Sequence, residues 1–282
     1  MSCNVVQASK RNHWLAFLVA VLWTLIFAAP IWAQVDKVSV PLTDPTRPVR
    51  LKASLLNGGI TVTANDGKDV LVEARVRDGD KAAREGSMKR IPMIATGLSV
   101  EEENNEVDIG ANHRVIDLTI QVPRHTSLHL STVNEGDISV TGVDGDIDVN
   151  DVNGDVTLKN VSGNAVAHAL NGKVLVNFER VNPQKPMAFS SMNGDIDVTF
   201  PADLKANVSM SNDRGDVFSD FDIALENRPP VQTPTQGTRE GGKYRVQIDK
   251  LVRGKINGGG QEIQFKNFNG SIYIRRAGTK AQ

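Results

Sequence analysis

Cysteine and tryptophan are almost missing from this 282-residue chain, and neither sign of charge is in excess. The one cysteine, Cys3, excludes a disulfide framework and a thiolate metal site. Lys+Arg total 32 against 33 Asp+Glu, so the clustered positive charge that phosphate neutralisation demands is lacking, and a nucleic-acid partner is excluded. Aromatic residues make up only 5% of the chain. There is one long apolar run, near the start. What is abundant is glycine, at 24 residues, together with enough aliphatic residues for the core of one large or two small domains.

Lys10 and Arg11, with His13, give a positive start. The apolar run Trp14 to Ala29 follows, then Pro30 and Ile31-Trp32-Ala33. Positive, apolar and then small is the layout of a secretory signal peptide, expected over residues 1–33 with cleavage after Ala33. If uncleaved, the same run would anchor the chain in a membrane. Cys3 lies upstream of the run, which argues against a lipoprotein. Cleavage would leave 249 residues with 30 basic and 33 acidic groups, net −3, and no Cys or Trp. The remaining Phe and Tyr all lie at or beyond Phe178. An exported chain of this kind must draw its stability from backbone pairing and aliphatic burial.

Glycine recurs every nine residues in the middle of the chain, at Gly136, Gly145, Gly154, Gly163 and Gly172. Outlying copies of the unit surround Gly58, Gly194 and Gly270, with a weaker one at Gly215. Each unit reads as an Asn-Gly or Asp-Gly turn, where positive φ is expected, followed by a short strand. Alternate apolar residues such as Ile147 and Val149 then face one way. The apolar period of two excludes helix. Segments ending Thr-Val-Asn, Asp-Val-Asn and Ala-Leu-Asn interleave with Gly-Val-Asp and Asn-Val-Ser, so the true repeat is about 18 residues, two strands to a coil. The fold class expected is all-β: a β-solenoid, single-stranded and β-helix-like, with about 18–22 residues and two strands per coil. Asp137, Asp155 and Lys173 should then share one corner column, with Asp146 and Asn164 on the other. The unit at Gly163 has only Ala165 and Ala167 inward, so the core should narrow there or be filled by a neighbour.

Val49–Leu55, Val70–Val76, Leu98–Glu103 and Val115–Val122 read as flanking strands, the last ended by Pro123. Tyr244–Ile248, Glu262–Phe265 and Ile272–Ile274 read likewise. Residues 77–97 are charged and irregular, with a helical turn expected at Lys81–Arg84. The solenoid domain is expected over 34–276, with residues 226–242, bearing Pro229, Pro230 and Pro234, as a mobile insertion and 277–282 as a disordered tail.

The repeated Val-Asn-Gly-Asp-Ile pattern, the passage Ile120-Gln121-Val122-Pro123 into Leu128-His129-Leu130-Ser131-Thr132-Val133-Asn134, and Gly258-Gly259-Gly260 ahead of Asn269-Gly270-Ser271-Ile272 resemble a bacterial domain-of-unknown-function family. Its provisional label is adhesin, β-strand repeat-containing, and the resemblance spans roughly residues 37–276. It implies an exported or envelope-associated β-solenoid without established catalysis, and it brings no agreed functional residues. Departures here are Glu135 inside the first Asn-Gly pair and the alanine-lined unit at Gly163.

The aspartates that follow the glycines are the most suggestive chemical feature. A nine-residue beat with aspartate is also the format of calcium-binding β-rolls, which makes Asp137, Asp146 and Asp155 the cation candidates. One glycine per unit and a lysine at the equivalent Lys173 leave six to eight oxygens hard to assemble, so turn formation is the favoured reading and no metal or other cofactor is expected. The histidines His113, His125, His129 and His168 have no metal-ligand spacing, and His168 is read as lying between units. No Gly-x-Ser-x-Gly elbow occurs, Gly258-Gly259-Gly260 is a turn rather than a phosphate loop, and Trp for sugar stacking is lacking, so no catalytic residues are assigned. The acidic Glu101–Glu103, Glu106 and Asp108 read as a solvated strand face, with contact to the basic Lys81, Arg84, Lys89 and Arg90, or a docking site for an oppositely charged partner, as the alternatives.

These readings converge on an exported, non-catalytic structural or binding protein at the cell envelope, secreted or periplasmic, whose partner is a protein or an envelope or surface component. Its structural turns are at Gly136, Gly145, Gly154, Gly163, Gly172, Gly194 and Gly270, and its open ends could self-associate. Two alternatives stand beside it: a membrane-tethered envelope-stress accessory acting through a protein partner, and a calcium-stabilised repeat protein. Mass spectrometry of the native amino terminus separates the tether from the exported form. A chain starting at Gln34 is expected, and one retaining Trp14–Ala33 would place it on the membrane.

Overall fold

The computed structural model describes residues 35–77, 84–85, 88–89, 97–111, 115–226 and 251–278. The signal segment, most of the 226–242 insertion, the strand expected at Tyr244–Ile248 and residues 279–282 lie outside the described residues. Among those described there is no helix, and twenty strands join in one continuous ladder. Arg84–Glu85 pairs separately with Met88–Lys89, so Arg84 belongs to a strand and not to the helical turn expected there.

Eight rungs, each of two strands, stack in parallel. In spatial order, rung 1 is Glu106–Ala111 with Ile116–Pro123, and rung 2 is Val49–Asn57 with Ile60–Asn65. Rung 3 is Thr126–Asn134 with Ile138–Thr141. The long strand Val156–Ala169 bends to serve two rungs: its first part completes rung 4 with Asp144–Asp151, and its second part begins rung 5 with Val174–Val181. Rung 6 is Met187–Asn193 with Ile196–Phe200, rung 7 is Gln261–Asn269 with Ile272–Arg276, and rung 8 is Ala206–Arg214 with Val217–Ser219. The step between rungs is 19 residues from Leu128 to Ile147, 18 from Ile138 to Val156 and again to Val174, and 22 from Val174 to Ile196. The coil is the expected two-stranded β-solenoid. A short third side forms where Asp144–Asp146 pair with Ser162–Asn164, and Ser162 and Gly163 with Arg180 and Val181.

Parallel stacking at this spacing sets a strict steric demand at the turns. A Cβ at Gly136 would fall 2.2 Å from the Gly58 carbonyl carbon. At Gly154 it would lie 2.0 Å from the Gly136 oxygen, and at Gly172 1.9 Å from the Gly154 oxygen. The glycines stack on one another's carbonyls. The expected positive φ holds for Gly163, at +103°, and for Gly270, but not for Gly136, Gly145, Gly154, Gly172 or Gly194. At those five, close backbone approach is what excludes a side chain, not handedness of the turn.

The interior is built as columns of equivalent side chains. Leu51, Leu128, Ile147 and Ala165 are in register on one sheet, and Ile60, Ile138, Val156, Val174 and Ile196 on the other. All of them are buried. The alanines of rung 5 are accommodated by a neighbour: Ala167 pairs with Phe189, and Phe189, Phe178, Phe200 and Phe265 form one buried cluster with ring centroids 5.4–6.4 Å apart. This aromatic cluster thus occupies rungs 5 to 7, while the buried hydrophobic residues of rungs 1 to 4 are all aliphatic.

Antiparallel strands flank the stack. At the rung 1 end, Leu98–Glu103 pairs with Glu106–Ala111 through Asn104 and Asn105, whose φ values of 54° and 66° suit a tight hairpin. Val70–Val76 pairs with Ile116–Pro123, and Val35–Val40 pairs with Val70–Val76. At the other end Leu251–Ile256 covers Ala206–Arg214, and Ile223–Leu225 adds to it. The sequence pattern did not reveal Val35–Val40, Leu251–Ile256 or Ile223–Leu225. Gly172→Ala, which drives a methyl into the Gly154 carbonyl, should cost about 3 kcal/mol or prevent folding. Gly110→Ala, with nothing within 4 Å of its Cβ, should stay within about 0.5 kcal/mol of the parent in a urea titration.

Candidate functional site

The corner that joins the two sheets carries four parallel columns of residues, because each rung turns there through the same four positions. The first column is apolar: Leu56, Val133, Val152, Leu170, Met192 and Phe268, one from each of rungs 2 to 7. Leu56, Met192 and Phe268 are 51%, 44% and 40% exposed, and the other three are half-buried. The Arg214 guanidinium lies 5.5 Å from the centre of the Phe268 ring.

The second column is an asparagine ladder. Asn134 Nδ2 donates to Asn57 Oδ1 at 3.3 Å, Asn153 to Asn134 at 3.0 Å, Asn171 to Asn153 at 2.8 Å and Asn193 to Asn171 at 2.8 Å. Asn134, Asn153 and Asn171 each accept from one neighbouring rung and donate to the other, as stacked amides do in cross-β structures. The sequence signalled these asparagines only as turn formers. Their ladder follows once the 18-residue period places them in line.

The third column is the stacked glycines and the fourth begins with the post-glycine aspartates. Asp137, Asp155 and Lys173 share this column as expected: the Asp155 amide donates to Asp137 Oδ1 at 2.9 Å and the Lys173 amide to Asp155 Oδ1 at 2.7 Å. Gly59 donates to Asp117 and Ser271 to Asp195 in the same manner. These carboxylates cap the next rung's backbone. Asp146 lies on the other side of the coil, where it accepts from Asn164 Nδ2 at 2.7 Å and from Lys185 Nζ at 2.7 Å. The three cation candidates are therefore not brought together. Among the described residues no group of three or more His, Cys, Asp or Glu is placed to hold a metal.

Other signals resolve locally. Glu135 takes φ +60°, and the Arg77 guanidinium bonds its carbonyl and the Asp117 carboxylate, which raises the Arg77 pKa. His129 Nδ1 meets Asp148 at 3.1 Å, and His125 lies 3.7 Å from Asp144. His168 sits within Val156–Ala169, not between units, with Nδ1 2.6 Å from Ser190 Oγ. His113 lies outside the described residues. In the acidic run, Glu102 accepts from the Asn105 amide, the Thr43 hydroxyl and the Thr43 amide, which lower its pKa, and Asp108 pairs with Lys52 at 3.4 Å. The basic residues Lys81 and Arg90 lie outside the described residues. Gly258 and Gly259, both at positive φ, make the turn between Leu251–Ile256 and Gln261–Asn269. An open groove of about 470 Å³ on the third side gathers Glu179, Arg180, Asp203 and Lys205, charges of both signs.

One buried group escaped the sequence reading. Asp151 is fully buried, and burial first, then the nearby Asp137 and Asp155, push its pKa up to about 6 against the opposing pull of the Gly154 and Asn153 amides. The signal was present in the repeat itself, where Thr132, Asp151 and Ala169 occupy one position with three chemistries. Asn171→Ala deletes two ladder bonds and should lower stability by about 1–2 kcal/mol. A chelator should leave the thermal midpoint of the parent protein unmoved, because the aspartates of the column already accept backbone amides.

Comparison with known proteins gives few matches. A crystal structure of a provisionally named cell adhesion protein from Clostridium sporogenes aligns at 11% identity and a TM-score of 0.42, over 86% of this chain and 100% of its own. A provisionally named adhesin from Bacteroides fragilis aligns at 14% identity and 0.34, over 86% of this chain and 97% of its own. No curated protein matches the chain. The Toastrack DUF4097 family matches residues 117–257, half of the chain and the part that holds rungs 3 to 6 and rung 8. The chain belongs to the Toastrack DUF4097 family.

Proposed function

We propose that the protein is an exported, non-catalytic solenoid that binds a component of the cell envelope or of a cell surface in the manner of an adhesin. The observation that carries this reading is the apolar column from Leu56 to Phe268, which lines up one large side chain from each of six adjacent rungs, three of them exposed and three half-buried. Single exposed apolar residues are ordinary on a protein surface, whereas a contiguous row marks a contact surface. The asparagine ladder beside it adds polarity, and the column as a whole is stiff because every rung is tied to the next by backbone bonds. Preorganisation of this kind lowers the ordering cost of binding a long partner. Export, supported by the charge and apolar pattern of residues 1–33, would bring that surface to the envelope.

A second reading rests on the run Trp14 to Ala29: retained, it would tether the same surface to a membrane and make the protein an accessory that works through a protein partner. The adhesin reading is tested by binding of the chain from Gln34 onward to an envelope fraction and to whole cells. Met192→Asp with Phe268→Asp, both on outward positions, should reduce retention at least tenfold while leaving the melting midpoint within a few degrees. Undiminished retention by the double variant would remove the column from the binding surface, and turnover of any envelope polymer would replace adhesion with catalysis.

A further inference from the structure

The last buried position before the asparagine ladder repeats along the coil. On four rungs its side chain donates to a glycine carbonyl of the neighbouring rung. Thr132 Oγ1 donates to Gly58 O at 2.8 Å and Ser191 Oγ to Gly172 O at 2.9 Å. Asn267 Nδ2 donates to Gly194 O at 3.0 Å and Asn212 Nδ2 to Gly270 O at 3.1 Å. Register places Asp151 in the same column, paired with Thr132 on one side and Ala169 on the other. The carbonyl that corresponds to the others is that of Gly136. A Cβ built at Gly154 would lie 2.0 Å from Gly136 O and 2.8 Å from Asp151 Oδ2, so both oxygens crowd one point.

The rest of the Asp151 carboxyl is committed. Oδ1 accepts from the Gly154 amide at 2.8 Å and from the Asn153 amide at 3.1 Å. Oδ2 is buried and has no partner. Where four equivalent residues bring a donor, and Ala169 brings no polar group at all, an ionised aspartate would bring a second acceptor, and two acceptors facing each other away from water are costly. A proton on Oδ2 turns that clash into a hydrogen bond. We infer that Asp151 is held in the folded chain as the neutral acid, its Oδ2–H donating to the Gly136 carbonyl, and that the corner between rungs 3 and 4 is thereby sensitive to pH.

The surrounding charges act in the same direction. Asp137 and Asp155, on the two turns packed against this corner, are both acidic and disfavour a third negative charge. Of the cationic residues near this corner, Arg77 bonds the Asp117 carboxylate and the Glu135 carbonyl, and Lys173 is joined to Asp155 through its backbone amide. With a folded-state pKa near 6 against an ordinary value of 3.8, the folded chain binds the proton more tightly than the unfolded one. The stabilisation is fully present below the unfolded value and is lost as pH rises through about 6.

Urea titrations of the parent protein and of Asp151→Asn between pH 4.5 and 8 test this. Asparagine can donate to the Gly136 carbonyl while accepting from the Gly154 amide at every pH. At pH 7.5 the unfolding constant of Asp151→Asn should therefore fall by about tenfold relative to the parent, and the difference between the two should vanish towards pH 4.5. Every other ionisable group is common to the two proteins and cancels in that difference. An unfolding constant for Asp151→Asn that is unchanged or higher at pH 7.5 overturns the inference. If the variant does not fold, the carboxyl ¹³C shift of Asp151 in the parent decides: a midpoint near 6 supports the neutral acid, and one below 4.5 refutes it.

Discussion

The distance between neighbouring rungs governs this molecule. Hydrogen-bonded parallel strands lie about 4.8 Å apart, and at the corners that spacing brings one rung's backbone against the carbonyl of the next with no room for a β-carbon. Glycine is therefore obligatory once per turn, and the nine-residue beat is the chemical trace of that contact. Once the corner is fixed, so is the register, and every residue after the glycine is delivered to the same place in each coil. The asparagine ladder, the aspartates that cap backbone amides and the aliphatic columns of the core all inherit their alignment from the glycine contact.

The middle of the coil was legible because its period is local. Asp137, Asp155 and Lys173 could be assigned to one column by counting 18 residues, and the small Ala165 and Ala167 implied a narrowed core or a filling neighbour, of which the structure has the second, Phe189. The reason for the glycines was misjudged, since a dipeptide such as Asn-Gly announces a turn without saying what lies across from it. At the ends several strands were legible, among them Val70–Val76 and Leu98–Glu103, but the order of the rungs was not. Met187 meets Ile263 and Val208 meets the same residue, separations that leave no periodic mark in the sequence. The flanking strands carry no repeat motif, so Leu251–Ile256 and Val35–Val40 were invisible to a search for period. The apolar column was present in the text as the residue before each ladder asparagine, but only the coil geometry shows that its members lie side by side.

A strictly repeated fold also gives meaning to its exceptions. Glu135 breaks the first Asn-Gly pair and is answered by Arg77, which bonds its carbonyl. Asp151 stands where its equivalents carry a hydroxyl, an amide or a methyl, and its buried oxygen without a partner is anomalous only by comparison with them. In an irregular protein neither residue would attract notice. Here the neighbours in the column serve as controls, and the chemistry at one position can be read from what the others do there.

The order of the rungs departs from the order of the chain at both ends. Val49–Asn57, from the first rung in sequence, lies between Glu106–Ala111 and Thr126–Asn134, and Gln261–Asn269, from the last, lies between Met187–Asn193 and Ala206–Arg214. A simple spiral can be peeled one turn at a time from either extremity. This one resists peeling, because a load applied along the chain from either side first meets a rung, Val49–Asn57 or Gln261–Asn269, that is held by neighbours on both of its edges. A protein that holds one surface to another would experience such a load, and the wedged rungs distribute it over two ladders at once.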